Sequence, residues 1–349
     1  MNRIILCGIF FSLLVSSACK KEEKEILWEA ASINPERNIR NVLATDNELY
    51  VITNNEFYRL QANQELVERR KLNEGQPLLG RPALSENVFF RISKNQQNLE
   101  RFEFHLTKNP NETTNILVSE LPRNDDGEIL LVEFNARNTG ALNQEGTQLL
   151  LPVLSFPSYH YVFFLFDIEL NATKDQFVSV SVSERIEAPQ LPADFNNLVN
   201  TKYINGNYYV SSLNGGYRIT PQGAIDQLFQ TWTLDFFERN DKIYVTGYNA
   251  WEFFASEDNG INWTRIEGPQ TELQMIEIAN NKVFSHQGLG WPYQLVDDEL
   301  KQTISMRYDG GLNNTPTGGY TNIAYFDGNY YIAHFKELFV SEQAITETE

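Results

Sequence analysis

Lys202-Tyr203-Ile204-Asn205-Gly206-Asn207-Tyr208-Tyr209-Val210 returns in close form as Ala324-Tyr325-Phe326-Asp327-Gly328-Asn329-Tyr330-Tyr331-Ile332. Each stretch reads as a short apolar strand, a tight turn and a second strand. Asn-Gly and Asp-Gly suit that turn because both of its central positions need positive φ. Looser copies run over residues 42–51, 236–245 and 276–284, and weaker ones over 82–92 and 143–153. That makes seven copies along the chain.

The stretch after each copy also recurs: another strand, a short polar turn and one more strand, as in 57–68, 216–229, 251–266 and 293–304. Four short strands per unit, repeated at roughly 35–60 residues, is the pattern of propeller blades. The expected fold is therefore an all-β β-propeller of seven four-stranded blades, with six or eight as the neighbouring alternatives. The longer units, 108–145 and 171–197, carry Asn, Pro and acidic clusters and read as loops inserted between strands. Phe339-Val340-Ser341-Glu342-Gln343 parallels Phe254-Ala255-Ser256-Glu257-Asp258, yet only six residues come after it. Ile26-Leu27-Trp28-Glu29-Ala30 stands alone before the first unit and parallels Asn262-Trp263-Thr264-Arg265-Ile266. Residues 26–30 are thus expected to supply the outer strand of the last blade, closing the ring and covering an open edge.

Ser256-Glu257-Asp258-Asn259-Gly260-Ile261-Asn262-Trp263 fits S-x-D-x-G-x-x-W at all four fixed positions, Ser256, Asp258, Gly260 and Trp263. It resembles the Asp-box, the bacterial neuraminidase repeat of sialidases and of many non-enzymatic propellers. Locally, Asp258 can accept hydrogen bonds from turn N–H groups and Gly260 can take positive φ. The resemblance implies a structural turn on the outer rim. It also raises a sialidase-like hydrolase, in which an arginine trio grips a carboxylate, a Tyr assisted by Glu attacks and an Asp acts as acid. The first arginine of that family lies in Phe/Tyr-Arg-Ile-Pro. Here Phe90-Arg91-Ile92-Ser93, Tyr217-Arg218-Ile219-Thr220 and Phe57-Tyr58-Arg59-Leu60 fall in different units without the Pro. They read as strands with arginine on the polar face. Arg307-Tyr308-Asp309 is a further Arg/Tyr pairing with no fixed geometry, and catalytic residues cannot be picked from the 46 acidic side chains.

The first residues have the layout of a signal peptide. Arg3 gives the charge, residues 4–15 are an uncharged apolar run, and Ser16-Ser17-Ala18 precede Cys19. A run this short does not span a bilayer, which takes about 20 residues. Ser16-Ser17-Ala18-Cys19 resembles the lipobox of bacterial lipoproteins, with Ser16 where Leu is usual. The resemblance implies cleavage before Cys19 and lipid on its thiol. The organisation expected is a signal peptide at 1–18, a lipidated cysteine and charged tether at 19–25, and a propeller at 26–349. Lys20-Lys21-Glu22-Glu23-Lys24-Glu25 reads as a solvated tether. It also looks like the acidic export signals that send some lipoproteins to the cell surface. Outer-membrane anchoring with surface display is expected; a periplasm-facing anchor is the alternative.

Cys7 and Cys19 are the only two cysteines, so the body after residue 19 has neither disulfide nor Cys-based metal site. About 330 residues bury enough core to stand without staples. The net charge of −18 repels phosphate backbones and argues against nucleic acid as a partner. His105, His160, His286 and His334 are scattered singly, so neither metal nor other cofactor is expected. Asp125-Asp126-Gly127-Glu128 lacks the alternating ligands of a calcium loop and reads as a solvated turn. Tyr159-His160-Tyr161 and Gly288-Leu289-Gly290-Trp291-Pro292-Tyr293 set rings beside Pro and Gly. Tyr159, Tyr161, Trp291 and Tyr293 are the candidate ligand contacts, since such rings stack on sugars or anchor proteins. A monomeric binding module for a protein or glycan is the expected function, and a glycan-active hydrolase or lyase the alternative. A hydrolase should bring carboxylates and arginines together at the channel mouth. A binding module should show an apolar or aromatic patch there.

Overall fold

The computed structural model describes the backbone of residues 26–31, 33–72, 79–94, 100–124, 127–132, 140–192, 198–247, 253–266, 276–280, 282–286, 292–296, 299–302, 306–308, 322–334 and 336–341. Cys19 and the tether lie outside these residues, as do Asp125, Asp126 and Trp291; Tyr293 is described by its backbone alone. No helix among the described residues is long and apolar enough to cross a membrane.

The described residues form an all-β propeller. Seven sheets succeed one another along the chain: I over 39–71, II over 79–117, III over 129–192, IV over 198–229, V over 233–265, VI over 277–302, and VII over 322–341. A four-strand path runs through six of them and not through seven. Sheet VII has five strands, because Ile26–Ala30 and Met306–Tyr308 join its outer side. Ile26–Ala30 pairs antiparallel with Glu337–Ser341, Trp28 opposite Ser341, and parallel with Met306–Tyr308, Leu27 opposite Arg307.

Within each sheet the first strand is innermost. These inner strands touch in sequence order, and Asn322–Phe326 of sheet VII touches Ile39–Ala44 of sheet I, so the circle returns to its start. The core is therefore spread between neighbouring sheets. Val42, Val51 and Tyr58 of sheet I meet Phe326, Tyr331 and Val340 of sheet VII. Phe90, Phe102 and Phe104 of sheet II meet Val153, Phe164 and Phe166 of sheet III. Strand alternation explains this: one face of each sheet packs forward and the other backward.

Antiparallel order also assigns the loops to two faces. Hairpins between first and second strands, and between third and fourth, lie on one face, here the turn face. Hairpins between second and third strands, and the crossovers between sheets, lie on the opposite one, the crossover face. On the turn face, Asn205 and Gly206 have φ of 47° and 83°, and Asp327 and Gly328 have 48° and 79°. These are the left-handed values that Asn, Asp and Gly tolerate.

Sheet III departs from the others. Two short strands are described along its inner edge: Ile129–Leu131 pairs with residues 154–156 of Gln148–Phe156, and Ala141–Leu142 pairs with 149–150. Pro152 falls in the interval between them. The expected loop at 171–197 is corrected as well. Phe177–Pro192 is a sixteen-residue strand, the longest described. Valine at 178, 180 and 182, alternating with serine, sets the period of two that outweighs the Asn and acidic residues nearby.

Candidate functional site on the crossover face of sheet III

Ser155-Phe156-Pro157-Ser158-Tyr159 turns the chain between the second and third strands of sheet III. Tyr159 takes φ of 52° and donates its N–H to the Ser155 carbonyl at 2.9 Å. Its ring stands edge-on to Phe156, centroids 4.8 Å apart, and is 59% exposed. Tyr161 is only two residues on but lies inside the protein. It faces Leu154 and Ala188 across the ladder and is fully buried. The expectation that it contacts a ligand is overturned, because the pleat turns its side chain into the core shared with sheet IV.

Ile129 and Leu131 extend the patch begun by Tyr159. Leu130 between them points into the core, which turns both neighbours outward, and Ile129 is paired with Phe156. Trp232, in the crossover from sheet IV to sheet V, is a second exposed ring on this same face. On the turn face Ile261, in the 256–263 turn, is exposed, as are Leu66, Val178 and Ile278 at the strand ends beside its hairpins, all of them aliphatic.

A polar bracket holds the patch from behind. Glu128 receives both terminal nitrogens of Arg185 at 2.9 and 2.6 Å, the Ser155 hydroxyl at 2.6 Å and the Asn124 N–H at 2.9 Å. Arg185 also donates Nε to Glu187 at 2.8 Å and lies over the Phe164 ring. His160 Nε2 is 2.6 Å from the other Glu187 oxygen. Burial pushes the Glu128 carboxyl up, but the bonds from Arg185, Ser155 and Asn124 outweigh it and hold it at about 2. Glu187 is likewise lowered, burial being outweighed by His160 and Arg185. Both carboxylates are therefore held ionised. A glycosidase acid needs the opposite, a carboxyl kept protonated near neutral pH. Glu128 came from the turn weighed for calcium; its oxygens are taken by these donors. No group of His, Cys, Asp and Glu among the described residues is arranged to hold a metal.

Four residues that the repeat reading passed over line the inner ring. Asn41, Asn200, Asp235 and Asn322 each accept the N–H of the next residue, at 2.7–3.0 Å. Each also reaches another sheet. Asn322 donates to the Val42 carbonyl at 2.6 Å and to Asn41, and Asn41 donates to the Pro82 carbonyl at 2.8 Å. Asn200 donates to Asp235 at 2.9 Å, and Asp235 accepts Lys202 Nζ at 2.9 Å and Ile276 N–H at 2.7 Å. Arg81 spans from Asn41 to Glu277, joining sheet II to sheet VI. The inner-strand residues described in sheet III, Ile129–Leu131 and Ala141–Leu142, are all apolar and have no side chain that could join such a girdle.

Among the described side chains, the arginines raised by the sialidase resemblance do not meet. Arg91 is buried and paired with Glu103 between sheets I and II, correcting its assignment to a polar face. Arg218 pairs with Asp226 in sheet IV, and Arg59 with Glu48 and Glu68 in sheet I. Arg307 lies in the outermost strand of sheet VII.

At the 256–263 turn, Asp258 Oδ1 accepts the N–H groups of Ile261 and Asn262 at 3.2 and 2.8 Å, and the Ser256 hydroxyl at 2.8 Å. Gly260 has φ of 78°, and a Cβ there would stand 2.8 Å from the Tyr209 hydroxyl. Trp263 donates its indole N–H to the Gly260 carbonyl at 3.1 Å and packs on Phe229 and Phe236.

No protein-family model matches the chain, and no curated protein matches it. Solved structures share its fold. The extracellular domain of the putative one component system BT4673 from B. thetaiotaomicron is similar over 90% of this chain, at 11% identity and a TM-score of 0.56. This chain spans 40% of the length of that protein. The WD40 domain of Pan2 from Neurospora crassa is similar over 93% of this chain and 97% of its own, at 10% identity and a TM-score of 0.50. At these identities the likeness establishes the fold, a β-propeller.

Proposed function

We propose that this chain is a seven-bladed β-propeller lipoprotein, closed by Ile26–Ala30, that binds a protein or glycan on its crossover face. The observation that carries the binding reading is the pair of exposed rings, Tyr159 and Trp232, on one face, with Ile129 and Leu131 beside Tyr159. Exposed rings beside aliphatic side chains lose little entropy on binding and bring large contact area. Sheet III supports the reading too, since its long outer hairpin sets it apart from its neighbours.

The seven-blade count draws on the circle of inner strands, and the closure on the register of Trp28 with Ser341. Ser256, Asp258, Gly260 and Trp263 are read as an Asp-box with a structural role. Lipid on Cys19, with the Lys20–Glu25 charge run after it, would hold the molecule at the outer membrane and display it outward. The extracellular placement of the BT4673 domain agrees with that display.

Binding to a glycan array and to cell-envelope proteins tests the function. Tyr159→Ala and Trp232→Ala are each expected to weaken the ligand about tenfold or more, by the usual cost of a ring at an interface centre. Ile261→Ala, on the opposite face, should leave affinity unchanged. Equal loss from Ile261→Ala alone would move the site to the turn face. Release of sugar from the array would replace the binding reading with the hydrolase.

A further inference from the structure

Arg81 makes a contact that skips two sheets. The inner strands touch in ring order: Leu79–Leu84 of sheet II meets Ile39–Ala44 of sheet I, which meets Asn322–Phe326 of sheet VII, which meets Glu277–Ala279 of sheet VI. Sheets I and VII therefore stand between II and VI. Yet Arg81 Nη1 donates to Glu277 Oε1 at 2.7 Å. Three steps round a circle of seven sheets lead almost to its opposite side, so the guanidinium reaches Glu277 across the axial channel.

The same guanidinium holds the joint that it bridges. Its Nη2 donates to Asn41 Oδ1 at 3.1 Å. That oxygen also takes the Val42 N–H at 2.9 Å and Asn322 Nδ2 from sheet VII. Asn322 Nδ2 reaches the Val42 carbonyl too, at 2.6 Å, and Asn41 Nδ2 the Pro82 carbonyl at 2.8 Å. One buried amide oxygen thus gathers donors from sheets VII, I and II, and Arg81 carries that knot to sheet VI. Bonds within such a buried network support one another. The joint between VII and I has a particular need of support. Its chain connection is the N-terminal strand, which docks on sheet VII and leads through residues 31–38 into sheet I.

We propose that Arg81 and Glu277 form a strut across the channel that locks the joint between sheets VII and I from inside, while the N-terminal strand locks it from outside. The outer half of this rests on the reading that Ile26–Ala30 closes the ring. Either lock holds the joint when the other is absent. Arg81 acts as a positioning residue, since it fixes the Asn41 oxygen on which Asn322 hangs. For a chain anchored upstream of Ile26, a pull on the anchor falls on the outer lock. The strut then keeps the face that carries Tyr159 and Trp232 in shape.

Distances between paired nitroxides test this in the full chain carrying Cys7→Ser and Cys19→Ser, which leaves no other thiol. Labels on Asn47→Cys and Asn329→Cys, at the first hairpins of sheets I and VII, report the joint. Labels on Asn207→Cys and Lys242→Cys report the remote joint between sheets IV and V and should keep one distance throughout. Arg81→Met removes the strut, and Glu29→Pro breaks the outer ladder because proline brings no N–H. Each change alone should leave the 47–329 distance single and unshifted. The two together should lengthen and broaden it, and Glu277→Leu in place of Arg81→Met should do the same. If Glu29→Pro alone shifts the distance as far as the combination does, or if the combination shifts nothing, the strut holds nothing and the proposal is overturned. If Arg81→Met alone shifts it fully, the strut stands and the outer closure fails. Loss of the 207–242 distance on Arg81→Met alone would make the pair a general part of the core, which overturns the proposal as well.

Discussion

Glu103→Ala is expected to destabilise the protein by about 3–5 kcal/mol, the usual cost of stripping one partner from a buried ion pair. For a chain of this length that lowers Tm by about 5–7 °C. Glu103 is fully buried between sheets I and II, where Arg91 is buried with it. Its carboxylate also takes the Ser93 hydroxyl at 2.6 Å, Arg101 and, at 3.3 Å, His105 Nε2. His105 stacks on Phe89, centroids 4.5 Å apart, and Phe89 stacks on Phe57 of sheet I. Alanine would leave the Arg91 guanidinium desolvated and unneutralised. The double replacement Arg91→Met with Glu103→Leu should recover most of the loss, because it removes both charges.

The same cluster gives stability a pH dependence of known sign. Burial raises the Glu103 carboxyl, but His105, Arg91 and Ser93 outweigh it and hold it well below the ordinary 4.5. Its contribution is complete above about 4.5 and is lost as pH falls toward the folded value. Burial pulls His105 below 6.5, so its neutral form is favoured in the fold. That contribution is complete above 6.5 and declines as pH falls below it. Both effects weaken the protein in acid. Thermal unfolding measured from neutral pH downward should show a falling Tm, and Glu103→Gln should flatten the part below 4.5.

Asp235→Ala should cost about 3 kcal/mol, read by denaturant unfolding. Asp235 is 1% exposed and joins three sheets, taking Asn200 and Lys202 from sheet IV and the Ile276 N–H that leads into sheet VI. Removing it takes the carboxylate from the Lys202 ammonium, which keeps the Ile276 carbonyl at 2.5 Å, and leaves a buried N–H without its acceptor. Asp235→Asn keeps an acceptor and should lose about 1 kcal/mol, nearer the worth of one hydrogen bond. Equal losses from both variants would mean that the charge matters less than the girdle geometry implies.

The girdle shows what the sequence hid. Asn41, Asn200, Asp235 and Asn322 each stand ten residues before Val51, Val210, Val245 and Ile332. The spacing was readable, yet each repeat is conspicuous only from the apolar residues one or two positions later. The turns were plain because Asn-Gly and Asp-Gly act locally. The Arg91–Glu103 pair could not be read as buried, since its surroundings include sheet I, far back in the chain. Tyr161 was misjudged by its neighbours Pro157 and Tyr159 instead of by the alternation through Phe163 and Leu165, which buries it. The inner strands Ile129–Leu131 and Ala141–Leu142 of sheet III are too short for any periodicity to mark.

The most direct test of the binding face is photo-crosslinking on intact cells that make the full chain. A benzophenone amino acid at position 159 or 232 is expected to give a light-dependent adduct with protein or envelope glycan. The same probe at position 205 or 327, on the turn face, is expected to give none. Adducts from 205 or 327, with none from 159 or 232, would contradict the account.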